Sequence, residues 1–230
     1  MKAKEIFLLV SSKLQDMGAT RRWPWEPADD VLSLTDLFNS ALRQIALNRP
    51  DSTAITESIK LKDGVKQILP DPLVHDGASK KALRLIEVIQ NMGSNGTTPG
   101  EPIFLTAKDA MRAFDWLTTG TEVENYAYDA KENPQAFWVY PGVTTGASVY
   151  VSMTYSAEPT PIDGSADDLT IPETFAGPIA DWMLYSAMSG DSSAANFTKS
   201  QHHLSAFYQA LGVKLKADLF YPKQIEVVGG

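Results

Sequence analysis

The chain of 230 residues contains no cysteine. Disulfide bonds are therefore excluded, and so are zinc sites that use thiolate ligands. Histidine is also scarce, with His75, His202 and His203 as the only examples. The last two are neighbours on a predicted helix, so their side chains diverge and cannot bind one metal as an i, i+4 pair does. We predict no metal site and no cofactor.

The sequence also lacks long hydrophobic runs and an excess of basic residues. No apolar stretch approaches the roughly 20 residues that span a bilayer, and the run Ile6–Val10 is too short for a signal peptide. The net charge is −8, whereas tight binding to a nucleic-acid backbone needs clustered Lys and Arg. We therefore expect a soluble protein with no membrane interaction. The acidic charge does not exclude DNA passing nearby, because an acidic wall repels phosphates and would not grip them.

Recognisable catalytic motifs are absent as well. The Gly93–Gly100 segment lacks the Lys-Ser/Thr ending of a phosphate-binding loop. Residues 163–168 lack the central glycine and closing glutamate of a calcium loop. Asp29-Asp30 and Asp167-Asp168 each precede a predicted helix, where capping and the helix dipole explain them. No catalytic residue is predicted, and an enzyme is the least favoured class.

What the sequence does contain is helical periodicity near both ends, with apolar residues at three- and four-residue steps. It predicts helices over Lys2–Met17 and from Ser33 or Asp36 to Asn48, and a helical hairpin over Thr170–Leu211. Thr170 and Glu173 have the spacing of a capping box. The apolar stripes of the hairpin comprise Phe175, Ile179, Trp182, Met183 and Ser186, then Phe197, Gln201, Leu204, Phe207 or Tyr208, and Leu211.

The middle of the chain changes to a period of two, which is typical of strands. Asp63-Gly64 predicts a β-hairpin between residues 59–61 and 65–68. Further strands are predicted at 84–91, 122–128, 136–140 and 148–156, and a short helix at 106–114. The expected fold class is α+β, with a helical bundle made from the N- and C-terminal helices and a β-rich insertion between them.

The expected boundaries follow these changes of pattern. Residues 1–50 with 168–212 form the bundle, residues 51–167 the β-rich insertion, and residues 213–230 an extended C-terminal arm. In the arm, apolar side chains alternate with charged ones. We hypothesise that these side chains anchor the arm on a partner protein, and disorder is the alternative. The anchors are Leu215, Leu219, Phe220, Tyr221 and Ile225.

The order of these signals resembles the head-to-tail adaptor (connector) proteins of tailed bacteriophages, particularly the podovirus-like, short-tailed ones. Four groups of residues contribute to the likeness, in the right order, although none is specific alone. They are Arg22-Trp23 with 37–45 and 49–51; 59–61 with Gly64, Gln67 and 69–70; 123–129 and 133–134 with 137–141 and 155–159; and 182–187 with Asp191, 203–207 and 211–212.

The resemblance implies a structural virion protein at the head–tail interface, assembled in the host cytoplasm. Such adaptors form a dodecameric, homo-oligomeric ring beneath the portal protein. They extend the channel used in DNA ejection and provide the platform for tail nozzle or tail tube proteins. On this basis the bundle would form the ring, the β-rich insertion would face the tail, and the arm would dock on the portal through its anchors.

A binding module is the competing class. A β-rich insertion with Trp116 and Trp138 could stack against a carbohydrate on a host surface. A small, stable oligomer that binds glycans would favour the module, whereas a portal-dependent ring would favour the adaptor.

Overall fold

The computed structural model describes residues 1–18, 21–111, 114–115, 117–189 and 194–212. Within these residues the chain is α+β, with five α-helices and two β-sheets. The described residues divide into two compact units, a first unit of residues 1–48 with 160–212 and a second unit of residues 49–159. Each unit has its own hydrophobic core.

The elements follow one another in a simple order. The helices are α1 Ala3–Lys13, α2 Leu34–Asn48, α3 Lys108–Met111, α4 Ala176–Ser189 and α5 Ala194–Ala210. The strands are β1 Ala54–Lys60, β2 Gly64–Ile68, β3 Ala82–Asn91, β4 Phe104–Leu105, β5 Thr119–Gly120, β6 Asn125–Ala127, β7 Ala136–Val143 and β8 Tyr150–Ala157. Two 3₁₀ turns, Pro50–Thr53 and Glu173–Phe175, complete the regular structure of the described residues.

Helix α4 is the centre of the first unit, because α1, α2 and α5 all pack on it. Phe7 of α1 joins this core edge-to-face with Phe38 of α2, at 5.9 Å between ring centroids. Loop residues complete it, since Ile162 and Ile171 are buried and Trp25 lies 6.0 Å from Phe7. The apolar stripes of the helices therefore need the connecting segments as well as one another.

The expectation of a helical bundle made from the N- and C-terminal helices, with a β-rich insertion, is wrong. The helices pack around α4, and loop residues fill much of the space that a bundle would close with helices alone. The middle of the chain contains two sheets around a second core. The chain is accordingly an α+β protein with two cores.

Helix boundaries also differ from the predicted ones. Helix α2 begins as expected, because Ser33 and Asp36 cap each other, with 2.9 Å from the Ser33 N–H to Asp36 Oδ2 and 3.1 Å from the Asp36 N–H to Ser33 Oγ. The capping box predicted at Thr170 does not form. Its hydroxyl donates to the Thr160 carbonyl at 2.9 Å, and α4 begins only at Ala176, after the 3₁₀ turn. Helix α1 ends at Lys13, one turn earlier than predicted.

The second unit contains both sheets. One has the strand order β1-β8-β3, and the other β2-β7-β6-β4 with β5 paired to β7. Strand β8 lies at the centre of the first sheet, antiparallel to both neighbours. Its alternation is as predicted, because one face is buried throughout. The buried face comprises Val151, Met153 and Tyr155, and Val149 just before the strand is buried as well.

The hairpin predicted at Asp63-Gly64 is wrong. Strand β1 pairs with β8, whereas β2 pairs with β7 of the other sheet. The chain therefore turns at Gly64, where φ is +91°, and passes from one sheet to the other. Between β1 and β2 the turn is held by the buried Gln67 side chain, because the two strands form no backbone hydrogen bonds with each other. This side chain accepts the Lys62 N–H at 2.8 Å and donates to the Lys62 and Gly64 carbonyls.

Candidate interaction surfaces

A cleft with basic side chains lies in the first unit, where the end of α1 meets the end of α4 and the start of α5. Its volume is about 420 Å³. Lys13, Arg22 and Lys199 line it together with Asp16, and Leu14, Trp23 and Met188 give it an apolar part. We call it the cationic cleft. In a chain with a net charge of −8, such a cleft is suited to an anionic ligand.

Asp16, the acidic residue of the cationic cleft, stabilises the segment that follows α1. Asp16 accepts the backbone N–H groups of Arg22 and Trp23 at 2.9 and 2.8 Å. This fixes the segment after α1 and holds the Arg22 side chain at the Trp23 ring, with 6.0 Å to the ring centroid. The Asp16 charge is thus used within the loop, while Lys13 and Lys199 make no ion pair within the described residues.

A second feature of the first unit is a projecting turn over residues 28–32. The Val31 N–H donates to the Ala28 carbonyl at 3.5 Å, which leaves Asp29 and Asp30 at the tip. Asp30 has a φ of +62°, a conformation that aspartate tolerates better than most residues. Val31 and Leu32 follow at 47% and 51% exposure. We call residues 28–32 the acidic turn. The prediction that Asp29-Asp30 caps a helix is wrong, because Ser33 caps α2.

The second unit has an open sheet edge at β4. Phe104 and Leu105 are 62% and 65% exposed, although adjacent residues of a strand point to opposite faces. The Phe104 N–H pairs with the Glu124 carbonyl of the β6 side at 2.9 Å. Beside this edge lies a cleft of about 400 Å³, lined by Glu101, Glu122 and Glu124. An exposed apolar edge strand is a site where another chain can pair.

The predicted histidine pair separates into two environments. His203 Nδ1 lies 2.8 Å from Asp181 Oδ1 and so links α5 to α4. His202 is exposed beside Thr198 and Lys199. Across the described residues, no three His, Asp or Glu side chains are placed to hold a metal ion. Asp167, in the segment compared with a calcium loop, accepts the Asp163 and Gly164 N–H groups.

Several predicted interaction residues lie outside the described residues. They include the arm anchors Leu215, Leu219, Phe220, Tyr221 and Ile225, and also Trp116 of the competing carbohydrate surface. Trp138, its other member, has the Lys108 ammonium 4.6 Å from its ring centroid. One face of this indole is thus already in contact with a side chain of the same unit.

Sequence reasoning missed the cationic cleft because its lining residues come from three separate segments. The only signal was the Arg21-Arg22-Trp23 run, where basic and aromatic residues adjoin. It also missed Asn91, which is 3% exposed. Asn91 Nδ2 donates to the Glu101 and Val123 carbonyls at 3.1 and 2.8 Å, and its Oδ1 accepts the Val123 N–H at 2.9 Å. This side chain fixes the segments on both sides of the β4 edge.

These surfaces are suited to contacts with other proteins. Comparison with known families agrees. The family model for the SU10 adaptor protein matches residues 1–224, and the chain belongs to this family of bacteriophage adaptors. It is therefore a structural component of the virion. No curated protein gives a significant match. In the described part of the chain, no helix is long and apolar enough to cross a membrane.

Proposed function

We propose that the protein assembles as a dodecameric ring that docks beneath the portal protein, extends the DNA channel and presents a platform to the tail nozzle or tail tube proteins. The observation that supports this is the family match, which spans residues 1–224 and so includes both units. The net charge of −8 suits a channel through which DNA slides, because like charges do not adhere.

The two units offer different contacts for this role. The first unit has the cationic cleft and the acidic turn, which are suited to neighbouring copies and the portal. The second unit has the open β4 edge with its acidic cleft, which is suited to an extended segment of a tail protein. The segment 213–230 docks on the portal through its apolar anchors, among which Phe220 and Tyr221 contribute most.

The experiment is co-sedimentation of the full chain with purified portal rings of the same phage, followed by native mass measurement of the complex. We expect a complex with one adaptor chain per portal subunit. A chain ending at Gly212 should keep its thermal midpoint and lose binding. Phe220→Ala should weaken binding by about 2 kcal/mol or more, whereas the matched control Lys223→Ala should have little effect.

Each outcome tests a different statement. If the full chain does not bind portal rings, the adaptor ring proposed here is wrong. If the chain ending at Gly212 binds as well as the full chain, the docking surface lies elsewhere and the assignment of the arm is wrong.

A further inference from the structure

The lining of the cationic cleft contains more basic than acidic side chains. Lys13, Arg22 and Lys199 line one cleft of about 420 Å³, and the carboxylate beside them, Asp16, already accepts two backbone N–H groups. Like charges that share a cleft repel one another, and an incoming anion removes this repulsion. The Lys13 and Lys199 ammonium groups have no ion-pair partner in the described part of the chain. The charge of the cleft is therefore complementary to a ligand with carboxylate or phosphate groups.

The apolar part of the cleft limits which anionic ligands can fit it. Leu14, Trp23 and Met188 line it beside the cations, and all three also pack against the core of the first unit. Their positions are thereby fixed. A ligand that fits both parts combines anionic groups with adjacent aliphatic groups, and this composition favours a peptide segment over a bare phosphate.

The acidic turn has this composition. Asp29 and Asp30 lie at its tip, and Val31 and Leu32 follow with about half of their surface exposed. Neither carboxylate has a hydrogen-bond or ion-pair partner among the described residues. The turn therefore combines the anionic groups and the adjacent aliphatic groups that fit the cationic and apolar parts of the cleft.

The turn and the cleft of one chain lie toward opposite ends of α1. After the cleft, the chain runs back along the helix: the Trp23 N–H bonds Asp16, the Trp25 indole bonds Ser11 at 3.0 Å, and Glu26 accepts the Ser165 N–H. The Ser165 carbonyl in turn accepts the Lys4 N–H, at the start of α1. Since α1 has 11 residues and is about 16 Å long, the acidic turn begins far from the cleft of its own chain.

We propose that the acidic turn of one copy seats in the cationic cleft of a second copy, with Asp29 and Asp30 opposite Lys13, Arg22 and Lys199. Such a contact is heterologous, because each copy uses a different surface toward each of its two neighbours. Repetition with a closing rotation gives a ring. The proposal rests on the proposed function, which requires a ring, and it names the residues that join one copy to the next.

The absence of cysteine allows a direct test in the full chain. Two single-cysteine variants that keep all the charges, Ala28→Cys in the acidic turn and Gln15→Cys in the lining of the cleft, are mixed and oxidised with and without portal rings, and disulfide-linked dimers are counted on non-reducing gels. We expect the mixed pair to cross-link well above either variant alone. The control pair, Ala28→Cys with Lys66→Cys of the exposed β2 surface, should not. Cross-linking at the control level would overturn the proposal.

A charge exchange gives the second measurement. Asp29→Lys and Lys199→Glu should each weaken self-association at least tenfold by native mass or sedimentation, and a chain carrying both should recover most of it. The matched control Lys66→Glu changes the same charge outside the cleft and should leave association unchanged. If a portal-bound ring forms but neither cross-linking nor charge exchange responds, the ring stands and this interface is wrong. If the chain forms no ring with or without the portal, both proposals are wrong.

Discussion

The Tyr155 hydroxyl donates a hydrogen bond of 2.5 Å to Glu57 Oε2, which joins β8 to β1. Burial raises the pKa of the Tyr155 phenol, and its bond to Glu57 raises it further, so the phenol stays protonated. Burial acts to raise the pKa of Glu57, but hydrogen bonds from Ser79 and Tyr155 outweigh it and hold that pKa below its usual value. The pair therefore combines a neutral donor with an ionised acceptor, an arrangement that makes a strong hydrogen bond.

Replacing Tyr155 by Phe should remove this bond with little change of shape. We expect a loss of about 1–3 kcal/mol in the free energy of unfolding, because the half-buried Glu57 carboxylate loses its charged hydrogen bond. Denaturant titration at neutral pH measures it. Tyr150→Phe in the same strand is the control, since no hydrogen bond from the Tyr150 hydroxyl is found in the described residues. Equal losses in the two variants would contradict the prediction.

His75 should make stability depend on pH. It is 6% exposed, its Nδ1 accepts the Asp71 N–H at 3.3 Å, and its Nε2 has no partner among the described residues. Burial, and then the charge of Lys62, lower the pKa of His75 below 6.5. A lowered folded-state pKa means that the stabilisation is complete above pH 6.5 and is lost as the pH falls through the folded-state value.

The test compares unfolding free energies over this pH range for the native chain and for His75→Phe. The variant should lose the part of the pH dependence that begins at 6.5, because it binds no proton there. His202→Gln changes an exposed histidine and should keep the native profile. A profile unchanged by His75→Phe would show that another group causes the dependence.

Asn91 should be among the most sensitive positions of the second unit. Asn91→Leu removes the three hydrogen bonds to Glu101 and Val123 and leaves buried backbone groups unpaired. We expect a loss of about 2–5 kcal/mol and faster amide exchange at residues 101–105. Asn95→Leu, in the exposed loop nearby, provides the comparison. A similar loss in both would argue against this role of Asn91.

Trp182 is half-buried, although helical periodicity placed it in the core. Its ring lies 5.0 Å from that of Phe207, and its Nε1 donates to Ser40 Oγ at 3.2 Å. Trp182→Ala should cost about 2–4 kcal/mol, somewhat below a fully buried tryptophan. Trp182→Phe keeps an aromatic ring and loses the hydrogen bond, so about 1 kcal/mol is expected. Denaturant midpoints of the two variants separate packing from hydrogen bonding.

Local patterns predicted the elements much better than their arrangement. The period of β8 and the capping of α2 were predictable because they depend on neighbouring residues. The prediction of a hairpin at Asp63-Gly64 was wrong because β1 and β2 each pair with strands far along the chain. The Gln67 side chain accepts the Lys62 N–H in the turn between them. The cationic cleft needs Lys13 and Lys199 together, and no sequence window contains both.

The long-range pairing of β1 has a consequence for synthesis on the ribosome. Ala54 pairs with Ser156, and Lys60 with Tyr150, so β1 has no strand partner until the last strand of its unit has emerged. In the first unit, α1 likewise waits for Ser165 and for α4. At about 5–20 residues per second, β1 therefore stays without its strand partner for about 5–20 seconds. During that interval the backbone N–H and C=O groups of β1 are open to pairing with other strands, so crowded synthesis favours contacts between nascent chains.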